Sequence, residues 1–340
     1  MWAAQRAALA GGRWHFQQGP IDLVIAAEGD AAALAAAHAA AWARFQPLLA
    51  ELVAELPLLR QPVAGAGDNP LQGAVARRMW AACAALRSAA QGFITPMAAV
   101  AGAVAQELIA HYQRPGINRA WVNNGGDIAL HLAPGQAAQV GLYADLSRFD
   151  EQALACTAAG SLRTDAGFTV QHADPVRGVA TSGWRGRSQS LGIADSVTVL
   201  AATAAQADAA ATVIANAVNT DDARIQRAPA SSLRDDSDLG ERLVTVAVPP
   251  LPAALVQQAL QAGLAMAGQL QGSGHIHAAL LVCQGSLARL LGDGHLLVLP
   301  TLAHRLVYEH QRLLHRRRCV SLSRNPEKPR PHSSKEQKDI

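Results

Sequence analysis

Asn123-Asn124-Gly125-Gly126-Asp127 joins two apolar runs. Adjacent glycines accept positive φ and leave backbone N–H groups uncovered, so an anionic ligand can approach closely. The flanking Asn and Asp can orient that ligand or a metal-bound water, although Asn-Gly is also a hairpin-turn signal in its own right. A second group is Gly178-Val-Ala-Thr-Ser-Gly183, an extended run ending in Thr181, Ser182 and Gly183. Hydroxyls at a strand end can bind phosphate or hold a ring edge. Trp184, Arg185 and Arg187 follow at once, offering an indole for stacking and two guanidiniums for phosphate; the plainer alternative is a solvated loop around a partly buried indole. The third group is Asp208-Ala-Ala-Ala-Thr212, whose carboxylate and hydroxyl share one face of a helix. A carboxylate buried among alanines needs a partner. Mg²⁺ with oxygen ligands and a ligand phosphate supplies one; a solvent-facing Asp, with Thr212 bonded back to its own helix, needs none. His275-Ile-His277 has the spacing of two imidazoles on one strand face, without a third ligand nearby in sequence. No Ser-His-Asp or Gly-x-Ser-x-Gly arrangement appears.

Composition narrows the chemistry further. Of 29 basic residues in 340, three are lysines, Lys328, Lys335 and Lys338, all at the C-terminal end. The body therefore offers no Walker-type phosphate loop, no pyridoxal Schiff base and no lysine nucleophile. The net charge of +3 is localised: from His304 onward there are ten Lys/Arg against four Asp/Glu, leaving the body mildly acidic. With aromatics at 4 %, this excludes a nucleic-acid binder built on a basic, stacking surface. Cysteines at 83, 156, 283 and 319 have no zinc spacing. The nineteen uncharged residues between Arg87 and Glu107 include Gly92, Pro96 and Gly102, which predicts a buried helix after a turn and not a membrane span. Arg6 and Arg13 bracket a short alanine-rich stretch, so no secretory leader is expected and the protein is expected to be cytoplasmic.

These groups need a frame. Strands are expected within Trp14 to Ala27, around Gly19-Pro20, and Asp30 stands at the N-cap of an alanine-rich helix reaching about Leu56, with a break or second start at Pro47. Leu71 to Ala90 reads as helix, and Thr95-Pro96 as the cap and first residue of a helix to Tyr112. Ala120 to Val122, Ile128 to Leu132, Gln139 to Ala144, Phe168 to Gln171, Gly178 to Thr181 and Ser196 to Leu200 read as strands. A helix from Ala204 to Ala217, a polar loop through Asp238, a strand Arg242 to Val248, a helix Pro252 to Leu270 and a strand Ile276 to Cys283 follow. His295 to Leu299 is strand-like, Leu302 to Arg318 helical, and the remainder a basic tail of disordered composition. Hairpins mixed with separate helices favour an α+β layered fold.

Val122-Asn-Asn-Gly-Gly-Asp-Ile128, Val179-Ala-Thr-Ser-Gly183, Asp195-Ser-Val-Thr-Val-Leu200 and Ala207-Asp-Ala-Ala-Ala-Thr212 occur in one order. Over about Arg13 to Leu299 the chain thereby resembles the ApbE-like superfamily, the flavin transferases once called thiamine-biosynthesis lipoproteins. Through Pro96-Met-Ala-Ala-Val-Ala-Gly102 and Trp14-His-Phe-Gln-Gln-Gly-Pro-Ile-Asp-Leu-Val24 it looks most like their uncharacterised branch. The resemblance implies an ApbE-like fold with mainly antiparallel sheets and packed helices over residues 1–303, in one or two lobes, with 304–340 as helix end and tail. It implies Mg²⁺ on Asp208 and Thr212, and FAD or FMN held by Asn124, Gly125, Gly126, Asp127, Thr181, Ser182 and Gly183. The transferases pass FMN to a Thr or Ser of an acceptor protein. They carry lysine where this chain has Ala101, and two residues between His and Asp where it has His172-Ala-Asp174-Pro175. The alternative is a non-catalytic flavin- or pterin-binding accessory of a one-carbon cofactor pathway. The alanine face of Ala31 to Ala43 would suit a homo-oligomer.

Overall fold

The computed structural model describes residues 2–64, 67–142 and 166–292. The strand expected at His295 to Leu299, the helix at Leu302 to Arg318, the tail, Cys156, Cys319 and the end of the strand expected to reach Ala144 lie outside the described residues. The strands are β1 (Gln5–Leu9), β2 (Arg13–Gln18), β3 (Ile21–Gly29), β4 (Ile117–Asn124), β5 (Asp127–Leu132), β6 (Ala137–Leu142), β7 (Ala166–Gln171), β8 (Gly178–Ser182), β9 (Ser196–Ala201), β10 (Gln226–Pro229), β11 (Leu243–Ala247), β12 (Ala278–Cys283) and β13 (Ser286–Leu290). The longer helices are α1 (Ala31–Ala54), α2 (Ala74–Ala85), α3 (Val100–Ile109), α4 (Ala204–Ala217) and α5 (Ala253–Gly272).

One nine-stranded sheet runs in the order β1-β2-β3-β4-β5-β8-β9-β12-β13, with antiparallel neighbours throughout; β6-β7 and β10-β11 form separate hairpins. The expected layered α+β arrangement is the one observed. Alternation divides the sheet into two faces. Leu23, Ile25, Ala120, Val122, Ala129, Ala180, Val197 and Val199 join the helices in one large core. Ile128, Leu130, Val179 and Leu200 turn to the other face, beneath Val140 and Phe168 of the β6-β7 hairpin. Among the described residues, no helix is long and apolar enough to cross a membrane.

Helix α4 is buried nearly all round, Ala205, Ala207, Ala209, Ala210, Val213 and Ile214 all lying in the core. Its alanines let neighbouring helices approach closely, and α3 and α5 both pack against it. Helix α1 runs through Pro47 without a break. Ala43 and Pro47 are both exposed, so the carbonyl that proline leaves unbonded meets water. The helix expected to start at Thr95-Pro96 instead begins as a 3-10 turn, Pro96–Ala99, without a Thr95 side-chain cap; the Thr95 hydroxyl donates to Asp238.

Glu107 ties three helices together, accepting from Arg44 Nε of α1 at 2.7 Å and Arg78 Nη1 of α2 at 2.9 Å. Burial alone would raise its pKa, but the hydrogen bonds and charges of Arg44 and Arg78 outweigh burial and hold it below the ordinary range. A depressed folded pKa contributes stability that is present above the unfolded pKa and lost as pH falls through the folded one. Glu107→Gln is expected to cost about 1–3 kcal/mol at neutral pH and to flatten the acid limb of the stability curve, read by urea unfolding across pH.

Candidate functional site

At one end of the sheet the β4-β5 turn, the end of β8 and the start of α3 come together around Asp208. In the turn Gly125 has φ 70° and Gly126 φ 114°, conformations that favour glycine. The Gly126 N–H donates to Asn123 Oδ1 at 2.8 Å. Asn124 Nδ2 donates to the Ala101 carbonyl at 3.1 Å, fastening the turn to α3. Asp127, on the helix-covered face with Ala129, accepts from the Thr181 N–H at 3.3 Å.

Helix α3 has Ala99 at its N-cap position and no side-chain cap of its own. Asp208 supplies one from α4: its Oδ2 accepts from Gly102 N–H at 2.8 Å, and the Ala101 N–H is directed at the same carboxylate. This satisfies two of the donors that open a helix. Gly102 makes the approach possible, since a Cβ there would lie 2.2 Å from the Ala204 carbonyl oxygen and 2.9 Å from Asp208 Cβ. Thr212 is half-buried one turn beyond Asp208.

The Thr181 hydroxyl pairs with that of Thr198 at 2.8 Å, on the face opposite Asp208, while Ser182 shares the helix-covered face with Val197. Gly183 packs where a Cβ would meet the Asp195 carbonyl oxygen at 2.3 Å. Beyond it the Trp184, Arg185 and Arg187 group divides. Arg185 stacks on the Trp184 ring, 5.0 Å from its centroid, and lies 3.6 Å from Asp195. Arg187 is exposed and reaches back to the Pro20 carbonyl at 3.4 Å. His172 Nδ1 bonds the Leu132 carbonyl and Arg177 bonds three carbonyls nearby, so this stretch builds the turn into β8. His275 and His277 precede β12 and are not paired on a strand face as expected; the His277 N–H extends the ladder to Leu200 O. Among the described residues no three His, Cys, Asp or Glu side chains converge as a metal-binding group.

The chain matches the family described as AbpE bacteria over residues 5–290. It belongs to that family. Relatives of this AbpE-family chain include the UPF0280 protein of Methanothermobacter thermautotrophicus, 41 % identical over 137 residues, which are 40 % of this chain and 47 % of that protein. The UPF0280 protein of Methanopyrus kandleri is 41 % identical over 138 residues, 40 % of this chain and 48 % of that protein. The chain spans about half the length of these curated relatives. The solved apo form of the Pseudomonas stutzeri flavinyl transferase ApbE is 14 % identical with a TM-score of 0.44, over 86 % of this chain and 95 % of that one. The ApbE protein of Thermotoga maritima is 12 % identical with the same TM-score, over 86 % and 97 %.

In the AbpE-family chain the two carboxyls at the site share an electrostatic environment. Burial is the largest cause raising Asp127, the Asp208 charge adds to it, and the Thr181 N–H and Arg187 offset it only partly. Burial likewise raises Asp208, against the N–H groups of Gly102 and Ala101. Cys83 of α2 is raised by burial first, then by Asp208 and Asp238, so it stays a protonated thiol. A carboxyl whose folded pKa exceeds its unfolded value contributes stability that is present at low pH and lost as pH rises through the folded pKa. In chelator, the unfolding midpoint is expected to fall as pH rises from about 4 toward neutrality, and Asp127→Asn to flatten that fall, read by calorimetry.

Proposed function

We propose that this chain is a Mg²⁺-dependent flavin-nucleotide-binding protein related to the FAD:protein FMN transferases. The observation that supports it is the pairing of buried Asp127 with half-buried Asp208: the Asp208 charge adds to burial in raising Asp127, and neither carboxyl makes a salt bridge among the described residues. Such a pair is stabilised by a proton or by a cation. Its donors are all oxygens, and with the Thr212 hydroxyl they suit a hard cation that takes one or two carboxylates and completes its shell with water and ligand phosphate. Mg²⁺ bound there would neutralise a diphosphate and the charge on a departing phosphate.

The chain's own residues prepare that end of the sheet. Gly125 and Gly126 leave the turn backbone open to an anion; Asn124, bonded to Ala101, keeps the turn against α3. Gly102 and Ala101 N–H groups fix the Asp208 carboxylate before any ligand arrives. Ser182 and Gly183 border the same end of the sheet, and Thr181 orders it through its backbone N–H to Asp127. Ala101, in place of the transferases' lysine, favours a second reading in which flavin or a pterin is bound without transfer to an acceptor protein.

Native mass spectrometry of the protein with FAD and Mg²⁺ tests the proposal. A retained flavin that is lost with EDTA is expected, and absence of both FAD and FMN adducts in the presence of Mg²⁺ would reject it. Covalent flavin on a co-expressed acceptor separates transfer from binding alone. Cytoplasmic placement is part of this proposal.

A further inference from the structure

The Arg187 side chain is exposed, and among the described residues its guanidinium makes one hydrogen bond, to the Pro20 carbonyl at 3.4 Å, which is long. That contact nevertheless fixes its place. Pro20 lies in the turn that opens β3, and β3 pairs with β4 from Leu23↔Asn124 onward, so the Pro20 turn lies at the same sheet end as Gly125 and Gly126. Arg187 reaches this end from the loop that follows β8, the strand whose Thr181 N–H holds Asp127. Its charge offsets part of the rise in the Asp127 carboxyl, and among the described residues the two groups form no salt bridge.

The loop carrying Arg187 is braced. Its carbonyl accepts from Arg234 Nη2 at 2.8 Å, Gln189 Nε2 donates to the Ala230 carbonyl at 3.1 Å, and Ser237 Oγ donates to Gln189 Oε1. A guanidinium on a braced loop loses little freedom when it takes a ligand. Direct pairing with Asp127 would have neutralised both groups. Left unpaired with each other at the same end of the sheet, the two groups suit a ligand that brings positive charge to the carboxylates and negative charge to the arginine, as a metal-bound diphosphate does. The fork of a guanidinium matches phosphate oxygens bidentately.

We propose that Arg187 holds phosphate oxygens of a diphosphate ligand whose cation rests on Asp127 and Asp208. The assignment depends on the metal–nucleotide reading above and adds the residue that would select for the diphosphate. Arg185, stacked on Trp184 beside Asp195, is not available for this.

Calorimetric titration of the full chain with inorganic pyrophosphate in Mg²⁺, alongside Mg²⁺ alone, tests it. Arg187→Gln is expected to weaken pyrophosphate binding about 10- to 100-fold, the loss of a charge-assisted bond, while affinity for Mg²⁺ alone is kept. Arg187→Lys should recover part of that loss, whereas Arg224→Gln, whose native partner is Asp222, should lose nothing. Pyrophosphate binding by Arg187→Gln within about twofold of the parent, or none by the parent, overturns the assignment. Because the probe has no flavin ring, FAD retained by a protein that ignores pyrophosphate would leave the flavin reading standing and remove Arg187 from it.

Discussion

Gly102→Ala is expected to lower the unfolding free energy by about 2–4 kcal/mol, a large loss for one methyl group. The added carbon would sit 2.2 Å from the Ala204 carbonyl oxygen, a backbone atom that no rotamer change can move. Helices α3 and α4 would have to separate, opening the alanine-lined contact beneath them and stretching the bond from Gly102 N–H to Asp208. Alanine's better helix propensity, worth about 1 kcal/mol, offsets only part of this. Gly268→Ala is the control. It lies within α5, where a Cβ meets nothing within 4 Å, and it should stabilise by about 0.5–1 kcal/mol. Urea midpoints that move equally for the two variants would show that α3 and α4 are not in close contact at Gly102.

Asp208→Asn should separate the two duties of that carboxylate. The amide oxygen can still accept from Gly102 N–H, so the cap on α3 survives, while the charge beside Asp127 disappears. Without metal at neutral pH the variant is expected to be as stable as the parent or more so. Saturating Mg²⁺ is expected to raise the parent's stability by about 2–3 kcal/mol, as for any ligand near a hundredfold above its Kd, and to leave Asp208→Asn unmoved. Asp208→Ala loses the cap as well and should fall by a further 1–2 kcal/mol or so in either condition. Thermal unfolding with and without Mg²⁺ reads all three. An equal Mg²⁺ response in parent and Asp208→Asn would place any cation elsewhere.

Local text carried the turn, the strand end and helix α4 well, because each depends on neighbours in sequence. Gly125-Gly126 announces a β-turn, and the alanine-rich run from Ala204 announces a helix that has its expected bounds, Ala204–Ala217. The cap on α3 was not legible. Ala99 gives no signal, and the acceptor comes from a residue 106 positions away. Strand β1, Gln-Arg-Ala-Ala-Leu, is exposed along four of its five residues and lacks the alternation of a half-buried strand. Strand β13 does alternate, but it is only five residues long and carries Arg289 next to its last residue; its turn at Gln284-Gly285 was the available cue. Pro47 misled because Ala43 and Pro47 lie on the exposed side of α1, where the carbonyl that proline orphans can bond to water. Arg187 stood out by type next to Trp184, yet nothing local distinguished it from Arg185, and only the contacts with Pro20 and Asp195 tell the two apart.

The cap on α3 also bears on the order in which the molecule is assembled. A nascent chain that has released β4 and β5 already contains every residue of α3, yet the acceptor for its first amides is still unsynthesised. Until α4 emerges, that helix start must bond to water, and the β4-β5 turn, which holds to Ala101 through Asn124, has an unfinished support. Docking of α4 therefore completes helix and turn in one event, and the groups proposed to bind ligand acquire their arrangement only when the second half of the chain arrives.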